Sequence, residues 1–175
     1  MVLQGKIKRL CLDAVLLSLS LVLSYLEAIL PLTVLIPLPG FKLGLANIIV
    51  TMVFVAVSPY DAAVISLCRI LIMGLLFGNA QSFFISICGG LLSYVGLWLL
   101  ACFFKRFFSF VGVSIGCAAL HNLGQLTAAA ILFTTDVILG YLPALLIAAL
   151  IFGSLTGMLL KLILPRFEGL VGKSF

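Results

Sequence analysis

Residues 13–30 read DAVLLSLSLVLSYLEAIL, a run whose few polar groups are scattered among continuous apolar side chains. A surface helix of a soluble protein confines its apolar residues to one stripe. This run has no face for water, and similar runs recur along the chain. A membrane-spanning helix needs about 20 mostly apolar residues, whereas a barrel strand needs about ten with alternating polarity. Continuous runs of this length predict helices in lipid.

Composition agrees. Of 175 residues, 65% are hydrophobic and 9% charged, against roughly 45–50% and 25% in soluble domains. A domain of this size leaves much of its surface in water and has no core large enough to hide so much apolar side chain. The expected fold class is an all-α integral membrane protein. The basic start KIKR leads into a full-length span with no small-residue cleavage site, so it reads as a retained first helix rather than a cleaved leader.

Proline, glycine and polar clusters divide the chain into six apolar segments, at about 10–30, 41–58, 60–77, 80–104, 109–134 and 138–164. They form one six-helix membrane domain over 1–175, a six-transmembrane-helix bundle with no visible inverted repeat. Lys6, Lys8 and Arg9 precede the first span, Lys105 and Arg106 separate the fourth from the fifth, and Lys161, Arg166 and Lys173 end or follow the sixth. Basic residues favour the cytoplasmic side, so six spans place all three clusters and both termini in the cytoplasm. The proline-rich connection at 31–40 then faces outward, either as a cover over a site or as a plain connector. The five cysteines stand singly, with no paired spacing, and are expected to be buried small hydrophobes rather than disulfides or metal ligands.

Polar residues inside a span are costly and tend to face the bundle interior. Ser20, Ser24 and Glu27 recur at helical spacing and share a face. Glu27, toward the outer end, is either a partly exposed interfacial carboxylate or part of a site. Gly44, Asn47 and Thr51 share a face of the second span. Lys42 at its mouth either bends inward or snorkels to the headgroups, while Asn47 lies too deep for water and requires a partner. Arg69, near the middle of the third span, needs an acceptor: Glu27, helix-end carbonyls, or an anionic ligand. His121, Asn122 and Gln125, in the run HNLGQ, put three hydrogen-bonding groups within about one turn, as a site or as interhelical glue. With this the only histidine and no carboxylate beside it, metal binding is not expected. Stripes of small residues (Ser82/Ser86/Gly90, Gly112/Gly116, Ala149/Gly153/Gly157) predict close helix packing. Ala14 and Ser18 form a further pair, rotated away from the Ser20/Ser24/Glu27 face, either for packing within the chain or for another protein.

Several chemistries lack their residues. There is no GxxxxGK[ST] loop and no GxGxxG, so neither ATP nor a dinucleotide is expected to bind. The five acidic residues show no clustering in the sequence that would hold magnesium against a diphosphate. No nucleophile stands with a base. The chain is not expected to be an enzyme, nor to require a cofactor or bind nucleic acid; binding and transport remain.

Leu26-Glu27, PLPGFKLGLAN at 37–47, Arg69, LFG at 76–78, HNLGQ at 121–125 and YLP at 141–143 together resemble the Gx transporter family, also called heptaprenyl diphosphate synthase component I. The likeness covers nearly the whole chain in order. That family is similar to the substrate-binding S components of energy-coupling factor (ECF) vitamin transporters. The resemblance implies a bacterial cytoplasmic-membrane protein that takes substrate from the outer face. It also implies partners, namely a transmembrane coupling subunit and two cytoplasmic ATPases, with docking through small residues of the first helix. Here Ala14-xxx-Ser18 stands where Ala-xxx-Ala is usual. The substrate would be a vitamin, a flavin-like cofactor precursor or an isoprenoid or quinone precursor, held by Glu27, Lys42, Asn47, Arg69, His121, Asn122 and Gln125. The alternative is a membrane accessory component associated with a soluble polyprenyl diphosphate synthase.

Overall fold

The structure, a computed structural model, describes residues 2–29, 44–103, 109–134 and 136–171. Among these the regular elements are all helical: α1 (Val2–Ile29), α2 (Asn47–Ala56), α3 (Pro59–Phe77), α4 (Ala80–Phe103), α5 (Phe110–Phe133), a 3-10 turn (Asp136–Tyr141) and α6 (Leu142–Val171). Among the described residues, five helices are long and apolar enough to cross a membrane.

The second segment departs from expectation. Helix α2 has 10 residues instead of filling 41–58. At 1.5 Å per residue it covers about 15 Å, roughly half of a hydrocarbon core. The cause lies at its start. Gly44 has φ +83°, a left-handed conformation that no α-helix continues, and the Asn47 N–H closes a turn on the Gly44 carbonyl at 2.9 Å. Gly44 therefore belongs to a turn, not to a helical face with Asn47 and Thr51. Asn47 is the first residue of the helix rather than lying more than a turn inside it. The 31–40 connection and Lys42 lie outside the described residues.

Other boundaries follow capping chemistry. Ser58 opens α3 by accepting from the Tyr60 N–H, with Pro59 and Asp61 in the first turn, where a missing donor and a negative charge are favoured. Ser109 caps α5 by accepting from the Gly112 N–H at 3.3 Å. Helix α1 starts well before residue 10, and α6 runs past 164, through Pro165, to Val171.

Helices α4, α5 and α6 approach closely because glycines leave space at their crossings. A Cβ on Gly124 would fall 2.6 Å from the Cys88 carbonyl oxygen, and one on Gly153 would fall 2.7 Å from Ile115 Cα. Two apolar clusters result. One gathers Leu16, α2 residues Ile48 to Phe54, Ile65, Leu97, Val113 and Leu160; the other gathers Ile85, Leu126, Ala129, Leu145 and Ala148. Along α5 the first cluster ends at Cys117 and the second begins at Leu126, with His121, Asn122 and Gln125 between them. Large apolar side chains such as Leu10, Val15, Leu75, Ile131, Ile147 and Met158 point outward, as suits a bundle whose solvent is lipid.

Arg9 on α1 pairs with Asp61 on α3 at 2.6 Å, and Asp13 lies within electrostatic reach of both. Two of the acidic residues that the sequence leaves far apart are thus brought together. With the Arg69–Ser24 contact further along both helices, the pair makes α1 and α3 run in the same direction.

Candidate functional site

The polar layer starts at the last turns of α1. Ser20, Ser24 and Glu27 are all buried on one face, as their spacing predicts. Glu27 is only 3% exposed, so of its two readings the partly exposed interfacial carboxylate does not hold. The turn that begins at Gly44 explains this: it carries the Leu45 backbone N–H onto the Glu27 carboxylate, which accepts from it. A carboxylate with a backbone donor is sustained at a depth where a bare one is not.

Arg69 lies opposite, 7% exposed. Its guanidinium donates to Asn47 Oδ1 at 3.0 Å and, over a longer 3.5 Å, to Ser24 Oγ. Glu27 attracts it electrostatically. Its Nε has no hydrogen-bond partner among the described residues. The acceptor that the sequence demands for Arg69 is therefore supplied by two other helices, α1 and α2, without full use of the five donors a guanidinium carries.

His121 and Gln125 come from α5, both buried. They fit against α4 because Gly89 has no side chain: a Cβ there would meet Gln125 Cγ at 2.7 Å and His121 Cε1 at 3.2 Å. Asn122 donates to the Leu145 carbonyl of α6 at 2.9 Å, so its amide ties helices together.

Small cavities join these residues. One of about 20 Å³ is lined by Gly44, Asn47, Thr51, Ser114, His121, Asn122 and Thr156 among others. A second of about 20 Å³ is lined by Ser24, Glu27, Gly44, Arg69, Ser86 and His121. A third of about 10 Å³ touches Asn47, Thr51, Ser66 and Ser93. Each holds about one water, so a larger ligand enters only if the walls separate.

Of the residues read from the sequence, Glu27, Asn47, Arg69, His121 and Asn122 meet around these cavities. Gln125 lies one turn further along α5 and lines none of the three. Ser114, Thr156 and Gly89 belong to the arrangement and were missed. Ser114 and His121 stand at i and i+7, a signal the spacing carried. Ala14 and Ser18 are exposed, with Ser18 Oγ donating to the Ala14 carbonyl at 2.8 Å; the bundle leaves this face uncovered. The cysteines depart from expectation. Cys117 is buried, but Cys11 is exposed and Cys68 and Cys88 are half-buried, because those three sit on or beside outward faces. No cluster of three or more His, Cys, Asp or Glu side chains occurs among the described residues.

No curated protein and no solved structure matches the chain. A family comparison does. The profile of heptaprenyl diphosphate synthase component I matches residues 16–163, a stretch that includes Glu27, Asn47, Arg69 and the His121–Gln125 run. By that match over most of its length, this helical membrane protein belongs to the heptaprenyl diphosphate synthase component I family.

Proposed function

We propose that the protein is the substrate-binding membrane subunit of an ECF-type uptake transporter, binding a small polar or anionic solute in the layer between the two apolar clusters. The observation that carries this reading is Arg69: a buried guanidinium with a donor unused among the described residues, beside cavities lined by Glu27, Asn47 and His121. A group kept only for packing would have its donors satisfied, because an unmet buried donor costs about 1–3 kcal/mol. A ligand carboxylate, phosphate or electron-rich ring oxygen at Arg69 Nε would remove that cost. Lys42, two residues before Gly44 in the sequence, would attract the same anion. The ligand would be a vitamin, a cofactor precursor or an isoprenoid or quinone precursor.

The exposed Ala14/Ser18 face of α1 is the proposed contact with a transmembrane coupling subunit, whose two ATPases would supply the energy. The basic end of the bundle, with both termini, would face the cytoplasm of a bacterial cell.

The test is mass spectrometry of small molecules extracted from gently purified protein, beside an Asn47→Leu/His121→Ala control. A polar solute held by the wild type and absent from the control supports the reading. Ordinary phospholipid in both samples would sink it.

The family's description favours a second reading, a membrane component that accompanies a soluble polyprenyl diphosphate synthase. It requires co-purification with that enzyme and no dependence on ATPases. In both readings catalysis lies outside this chain.

A further inference from the structure

A much larger cavity, about 580 Å³, opens away from the polar layer, where the end of α2, the starts of α3 and α5 and the end of α4 meet α6. Small-molecule sites typically occupy about 300–1,000 Å³. Its wall is apolar, formed by Phe54, Val55, Leu97, Ala101, Val111 and Val113. The innermost polar residue, Thr51, spends its hydroxyl on the Asn47 carbonyl of its own helix at 2.9 Å, so the roof presents no free donor. Among the described residues, the remaining polar groups lie on the exposed rim, at Ser109 and Lys161.

That rim is positive. Lys161 has no ion-pair partner among the described residues. Beside it lies the first turn of α5, where Ser109 takes the Gly112 N–H and the two N–H groups before it have no intrahelical acceptor, and whose dipole favours an anion. Apolar depth under a cationic rim, at the border of a membrane protein, matches a molecule with an anionic head and a hydrocarbon tail. A free inorganic anion would leave the apolar wall unused, and a neutral hydrocarbon would leave Lys161 unused.

We propose that this cavity is a second binding site, for a phosphorylated long-chain amphiphile. Its phosphate meets Lys161 and the start of α5, and its chain lies against Phe54, Leu97 and Val113 up to Thr51. Thr51 also lines two of the small polar cavities, so the chain would end on the floor of the outer site. The proposal stands without the transport reading, since it uses neither Arg69 nor His121.

The experiment is photolabelling of the full-length purified protein with dodecyl phosphate carrying a terminal diazirine, followed by peptide mapping. Labelling should concentrate on the segments containing Thr51–Val55 and Leu97–Ala101. Lys161→Gln should lower it about tenfold, the worth of one charge-assisted contact, and Lys161→Arg should restore it. Ala101→Phe, which fills the cavity, should also lower it, while Ile131→Ala, on an outward face at the other end of α5, should not. Competition by a C15 isoprenyl diphosphate but not by phosphatidylglycerol identifies a free prenyl phosphate as the occupant; the reverse identifies a bilayer lipid. Label spread over the outward faces, equal labelling by the diazirine alcohol lacking phosphate, or indifference to Lys161→Gln would overturn the site.

Discussion

The guanidinium of Arg69 donates to the side-chain oxygen of Asn47 at 3.0 Å, joining the interior of α3 to the first residue of α2. The short helix α2 owes its position to this bond and to the Leu45–Glu27 contact just before it. Asn47→Leu and Arg69→Leu should each destabilise the protein by about 1.5–3 kcal/mol, the usual range for a bond to a charged group. In a double-mutant cycle the pair should couple by about 1–2 kcal/mol. Thermal unfolding in detergent measures this, and additive effects would mean that the bond carries little.

Gly44→Ala tests the turn. At φ +83° an alanine is strained by about 1–2 kcal/mol, and its Cβ would crowd Asn47 Nδ2 at 3.2 Å. Both effects move the Leu45 N–H off Glu27. Stability should fall by about that amount, and retention of the extracted solute should fall with it. A variant as stable as the wild type would show that the turn is not fixed by backbone conformation.

Glycine replacements should rank by what the new Cβ meets. Gly124→Ala faces the Cys88 backbone at 2.6 Å, which cannot retreat without moving α4. Gly90→Ala faces only the terminal Cδ1 of Ile70 at 2.4 Å, which can rotate. The first should cost about 1–3 kcal/mol and the second clearly less. Gly5→Ala, with nothing within 4 Å, should not destabilise.

Arg9→Ala should destabilise more than Asp61→Asn. Arg9 is 39% exposed and returns to water when its partner is lost, whereas Asp61 is 8% exposed and would remain beside Asp13 without a cation. The loss for Arg9→Ala should be about 1–3 kcal/mol, below that of a fully buried pair. It should shrink in high salt, as screening weakens the repulsion left behind. Melting curves of both variants at two salt concentrations check the order.

Ala14→Leu changes an exposed surface, so stability should stay within about 0.5 kcal/mol. If that face docks a coupling subunit, uptake in cells should vanish while solute binding persists. Normal uptake would remove the face from the proposed assembly.

By itself, the sequence determined the solvent and the secondary structure. Its long apolar runs are stable only as helices in lipid, because every backbone polar group must then be satisfied within the segment. It also determined which faces turn inward, since Ser20, Ser24 and Glu27, or His121 and Gln125, share a side through a periodicity that is purely local. Depth and partnership were decided only by the tertiary structure. The brevity of α2 depends on one glycine's φ, which composition does not encode. The burial of Glu27 depends on a backbone N–H from another segment, and no side-chain pattern announces a backbone donor. The place of His121 depends on the missing side chain of Gly89, a helix away. The cavity beside Lys161 exists because four helix ends leave a space against α6, and a space is a property of packing rather than of any one helix.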